Sequence, residues 1–198
     1  MDSGFVILDT SRPIWDQFFS VFPLVIVGTK EGDHYDLAPK HMAMPMSWNN
    51  YFGFVCTPNH QTYHNIKKHK TFTVSYPRPS QVVLASLTAT PRCDEDVDKS
   101  LLDSLPTTPA RLVDGVFLKD AYLYLECELY KIYDDFEPNS LITGKVIGAY
   151  VDETFTNQFA LDEQSELYHH PLLSYIHPGR FAEISKTMAF PFPKNFKK

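Results

Sequence analysis

Apolar and polar positions alternate with period two along most of this chain, and proline and glycine interrupt the pattern more often than any long helical stretch does. From Ala121 to Tyr130 the alternation is clearest. Leu123, Leu125, Cys127 and Leu129 fall on one face, and Tyr122, Tyr124, Glu126, Glu128 and Tyr130 on the other. The first face packs a core; the second, aromatic and acidic together, suits a partly covered surface such as a dimer contact. Further strands are expected at residues 5–8, Pro23–Thr29, Tyr51–Cys56, Thr71–Tyr76 and Leu141–Val151, with a hairpin turn over Gly28–Asp33. On the last of these strands Gly144 and Gly148 share a face, so a flat group could approach the backbone there.

Helices are few and short. Ser11-Arg12-Pro13 reads as the start of a helix over Ile14–Val21, and Asn59 is placed to cap one over His60–His69. Two more are expected at Ser80–Leu87 and Val97–Leu105, the second followed by an extended connection through Pro106 and Pro109. Leu37–Trp48 crosses Pro39 and Pro45, so it cannot be an interior ladder strand throughout. The tail from residue 164 to 198 is rich in aromatic residues and proline and should wrap around the body. Six or seven hairpin-connected antiparallel strands predict a mainly β protein, most simply closed into a barrel that leaves no sheet edge open.

Composition narrows the picture. At 198 residues, with 43% hydrophobic and 14% aromatic residues, one globular domain spanning 1–198 is expected. A net charge of −6 with scattered basic residues argues against nucleic acid. No apolar run is long enough to span a bilayer, the acidic N-terminus is unlike a secretory signal, and three cysteines without a C-x-x-C spacing fit a reducing compartment, so a soluble, cytoplasmic protein is expected.

No dinucleotide, P-loop, nucleophile-elbow or zincin motif occurs, and only 8 glycines are present. Cys56, His60 and His64 recur every four residues, but Pro58 separates the cysteine from the helix, and no metal site is assigned. Cys56 and Cys127 read as core thiols, and the Asp94–Asp98 carboxylates as a solvated helix start. His169, His170 and His177 are expected in structural or solvated roles. The helix after Asn59 would offer free N–H groups and partial positive charge, with Thr62 and Asn65 nearby: a phosphate seat.

The order of motifs resembles the flavin reductase family that binds FMN in a split β-barrel of antiparallel Greek-key type, in its flavoredoxin-like branch. L-A-P-K-H at Leu37–His41 is similar to N-x-A-P-x-S. Q-T-Y-H-N-I and F-T-V-S at Gln61–Ile66 and Phe72–Ser75 resemble D-T-x-x-N-I and F-x-V-N. D-K-S-L-L at Asp98–Leu102, L-E-C-E-L at Leu125–Leu129, N-S-L-I-T-G-K-V at Asn139–Val146 and P-L-L-S-Y in the tail complete the series. The resemblance implies a homodimer with FMN at its interface, accepting hydride from NADH or NADPH and passing electrons to a small-molecule acceptor or a partner oxidoreductase. Ala38, Lys40, His41 and Met42 would line the ring or ribityl chain. Thr62, Asn65 and Lys99 would serve the phosphate, and Asn139 would approach the ring or phosphate from a neighbouring strand. No side chain is assigned a catalytic role, because hydride passes directly to the flavin. The alternative is an FMN-binding electron carrier that nicotinamides do not reduce directly. The chain departs from the pattern at Asp36 for Asn, His41 for Ser, Met42 for Trp, Ser75 for Asn and Asn139 for His.

Overall fold

A computed structural model describes residues 4–89, 104–156 and 163–194. Seven strands form one antiparallel sheet: β2 (Val25–Glu31), β3 (His34–Lys40), β4 (Ala43–Ser47), β5 (Tyr51–Cys56), β6 (Thr71–Tyr76), β9 (Leu123–Phe136) and β10 (Asn139–Val151), in the order β3-β2-β6-β9-β10-β5-β4. Its two edges, β3 and β4, are successive segments separated only by His41 and Met42, so the sheet must curl until its ends meet. This is a barrel closed through a corner rather than a ladder. The two prolines expected to forbid an interior strand lie on these edges, Pro39 opposite Ile26 and Pro45 opposite Phe52.

β10 pairs with β5 only from Ser140 to Lys145, while its pairing with β9 continues to Val151. Beyond Lys145 one edge of β10 runs without a strand partner among the described residues, and the barrel is split there. The interior is filled by Val25, Val27, Phe52, Phe54, Phe72, Val74, Cys127 and Ile142. A second apolar cluster of Ile26, Leu37, Ala85, Leu105 and Leu118 lies on the other face of β2 and β3. The short strands β7 (Thr107–Pro109) and β8 (Val116–Leu118) and helix α2 (Val82–Leu87) supply its cover.

The tail forms structure of its own. After α3 (Glu163–His169), β11 (Leu172–His177) pairs with both β1 (Ser20–Pro23) and β12 (Arg180–Ile184), giving a separate three-stranded sheet. Of the helix expected over Ile14–Val21 only one turn, Trp15–Gln17, forms, and the last two residues of that span, Ser20 and Val21, belong to β1. Strand pairing with residues about 150 positions later outcompetes a local helix that nothing would bury. The strand expected at residues 5–8 is absent: Phe5, Val6 and Ile7 are exposed and unpaired in any sheet.

Gly144 and Gly148 do not share a face. A register shift between Val146 and Gly148 turns the strand, so Gly144 faces the interior, where an added Cβ would lie 2.6 Å from the Phe72 ring, and Gly148 faces Glu126 and Leu112 on the opposite side. The flat group at Gly144 is thus the protein's own Phe72, edge-on to Phe54 at 5.5 Å. Gly144→Ala should cost about 1.5 kcal/mol in thermal unfolding, because the ring has no room to retreat; an unchanged midpoint would show that it has.

Candidate functional site

Helix α1 (Gln61–His69) presents Thr62, Tyr63, Asn65 and Ile66 to the barrel at helical spacing and leaves His64, Lys67 and Lys68 in solvent. Its N-cap position is His60 with no side-chain cap; Asn59 lies in the preceding turn, where its own N–H donates to Thr57 Oγ1. Lys67, Lys68 and His69 suit the negative end of the helix, and Lys70 ends it in the left-handed conformation. Tyr63 and Ile66 join the interior cluster. Thr62 and Asn65 instead hold the helix to the strands: Thr62 Oγ1 donates to Asp36 Oδ2 at 3.3 Å, and Asn65 Nδ2 to Thr29 Oγ1 at 3.0 Å.

The alternation of β3 places Asp36, Ala38 and Lys40 on the face that meets α1, with Leu37 turned to the second core. Lys40 is only 9% exposed. Its ammonium donates to Cys56 Sγ at 3.6 Å, a weak acceptor, while the Tyr63 N–H in the first turn of α1, which donates to the His60 carbonyl at 3.0 Å, also lowers the pKa of that thiol. Burial pushes the Cys56 thiol up, and the neighbouring Lys40 charge opposes that shift without overcoming it. Cys56 stands opposite Ser140 across β5 and β10, which brings Asn139 to the same end of the barrel. There Asp134 accepts from Ser140 Oγ at 2.7 Å and from the Tyr63 hydroxyl at 3.1 Å.

Of the eight residues singled out from the sequence, Ala38, Lys40, Thr62, Asn65 and Asn139 gather at this end. Lys99 lies outside the described residues, as do Asp94–Asp98. His41 and Met42 form the corner between β3 and β4: the Met42 carbonyl accepts from Val55 N–H at 2.9 Å and its side chain is exposed, while the His41 ring turns to the tail sheet. The seat contains one feature a phosphate site would not be built with, the buried Asp36 carboxylate facing Thr62. Among the described residues no group of three or more His, Cys, Asp or Glu side chains is arranged to hold a metal ion.

A second concavity lies at Gly148, one of the two glycines where the sequence left room for a flat group. A cleft of about 470 Å³ opens at the split, lined by Trp48, Tyr51, Phe52, Tyr76, Leu125 and Ile147 among others. None of the eight predicted residues lines it. Its signal lay in the run Pro45–Tyr51, whose Trp48 is fully exposed, but exposure of an edge strand cannot be read from alternation alone.

The aromatic and acidic face of β9 is covered by this chain itself. The Phe117 ring lies tilted against Tyr124 at 4.5 Å, and Glu126, fully buried, accepts backbone N–H bonds from Arg111, Leu112 and Val113 at 3.1, 2.6 and 2.8 Å. Burial alone would raise the Glu126 carboxyl; the three N–H donors outweigh it and hold the group below its ordinary value. Glu128 and Tyr130 remain exposed.

Solved structures share the fold. Flavoredoxin from Methanosarcina acetivorans superposes with a TM-score of 0.77 at 18% identity, covering 97% of each chain. An FMN-binding protein from Thermus thermophilus with bound p-hydroxybenzaldehyde gives 0.74 at 17% identity, covering 96% of this chain and all of that one. A 2-nitrobenzoate 2-nitroreductase from Pseudomonas fluorescens gives 0.74 at 17%, covering 89% and 87%. In sequence, an uncharacterized protein of Methanothermobacter thermautotrophicus is 28% identical over 142 residues, which span 68% of this chain and 66% of that one. The model of the flavin reductase like domain matches residues 20–177, which include the barrel, α1 and the first strands of the tail sheet, and the chain belongs to that family.

Proposed function

We propose that this protein is an FMN-binding oxidoreductase of flavin reductase type, which takes hydride from NADH or NADPH and passes electrons to a small-molecule acceptor or a partner oxidoreductase. The observation that carries this reading is the Lys40 ammonium, nine-tenths buried, bonded to a weak thiol acceptor and lying beside the N-terminus of α1. A buried cation next to helix N–H groups favours an anion such as a ribityl phosphate. FMN, when bound, supplies the hydride chemistry, which leaves the chain to bind and orient it.

Lys40 and the first-turn N–H groups of α1 would hold the phosphate end, with Asn139 approaching from β10. Thr62 and Asn65, engaged with Asp36 and Thr29, would act by fixing α1 more than by direct contact. Lys99 is assigned to the phosphate on the family pattern alone. Ala38, His41 and Met42 would border the ring at the β3–β4 corner. A second copy would complete the site: Met44 and Met46 on β4, Trp48 in the turn after it, and Ile147 and Val151 on the open edge of β10 are exposed apolar side chains that a dimer interface would bury.

The test is the visible spectrum of the purified protein with one equivalent of FMN, anaerobically, before and after NADH and then NADPH. A protein-bound flavin band that bleaches rapidly with one donor is the expected result. A bound flavin that neither donor bleaches would replace the reductase by an electron carrier, and failure to bind FMN would overturn both.

A further inference from the structure

The tail sheet meets the barrel through a cluster of rings. The His41 imidazole lies 4.6 Å from the Tyr175 ring, 5.8 Å from the nearly parallel His177 imidazole and 5.6 Å from Phe22, centroid to centroid. These partners come from β11 and β1, so one side chain of the β3–β4 corner touches two strands of the separate sheet. His177 Nε2 is bonded to Asp16 Oδ1 at 2.7 Å, whereas His41 Nε2 is buried with no hydrogen-bond partner among the described residues. Among the described residues, a carboxylate meets His177 and none meets His41.

We infer that His41 and His177 form a proton-operated clasp: neutral His41 holds the tail sheet on the β3–β4 corner, and protonation of His41 releases it. Among the described residues, the groups that face His41 are Lys40 at the end of β3 and, as a cation when protonated, His177 from β11; Tyr175 and Phe22 adjoin it without charge, and Asp16 bonds to His177. A proton on His41 therefore meets cations and an apolar wall. Burial first, then His177 and Lys40, hold the His41 pKa below the ordinary imidazole value. The folded state thus prefers neutral His41, so the contact is fully present above the unfolded imidazole pKa of about 6.5 and weakens as pH falls below it.

The joint is built from the chain alone and needs no cofactor. Its test is hydrogen exchange followed by mass spectrometry, with protection factors of residues 20–23 and 172–177 compared with those of β6 from about pH 8 to about pH 5. In the wild-type protein the tail segments should lose about tenfold more protection than β6. In His41→Phe, an apolar ring without a titrating group, the tail should keep its protection across the range; His41→Gln serves if that variant does not fold. Tail protection that persists at low pH in the wild type, or falls equally in the variant, overturns the clasp.

Discussion

Glu126→Ala is expected to lower the unfolding free energy by about 3 kcal/mol, measured by urea denaturation at neutral pH. The carboxylate gathers three successive backbone N–H groups of residues 111–113 and is fully buried beneath that loop. Removing it strands donors that solvent reaches only in part, and it frees the connection between β7 and β8 that covers the second core. The effect should depend on pH with a definite sign. The folded carboxyl titrates below its unfolded value, so its contribution is complete above the unfolded carboxylate pKa of about 4.3 and is lost as pH falls through the folded value. Wild type and variant should converge in stability at strongly acidic pH. A constant difference down to that range would mean that packing, not charge, holds the loop.

Glu126 also marks where sequence legibility stopped. On an alternating strand an acidic residue reads as the wet face, and the donors that bury it arrive from 13 to 15 residues upstream, a distance at which periodicity carries no information. β5 and β6 were legible to the residue because their alternation and their proline and turn boundaries are local. β1 was misread as helix because its partner, β11, lies at the other end of the chain. The same limit applies to Gly148, whose facing is set by a bulge that spacing does not reveal.

The site was legible in parts for the same reason. The P-K-H segment and the helix after Pro58 are local signals, and the fold brings their inward residues to one barrel end. What those side chains do once there is decided by neighbours from elsewhere. Thr62 and Asn65 were singled out for a phosphate, yet their partners are Asp36 and Thr29 on β3 and β2. His41 was singled out for a ring, and its neighbours are supplied by a tail more than 130 residues away.

Asp36 gives the larger functional prediction. Asp36→Asn is expected to tighten FMN binding about 30-fold, about 2 kcal/mol, in a fluorescence titration at low ionic strength. The carboxylate is 2% exposed and 3.3 Å from Thr62 Oγ1, so an anion bound at the start of α1 would face it across one hydroxyl. At an effective dielectric of about 20, two unit charges about 7 Å apart repel by about 2.4 kcal/mol. Lys40, on the same strand face, would attract the phosphate in wild type and variant alike, so the substitution removes only the repulsive partner. Asparagine keeps an oxygen for the Thr62 hydroxyl and removes the charge, so the helix should stay in place. The same substitution should leave riboflavin binding nearly unchanged, because riboflavin has no phosphate. Equal gains for FMN and riboflavin would place the effect in the ring pocket, and no gain for FMN would remove the start of α1 as the phosphate seat.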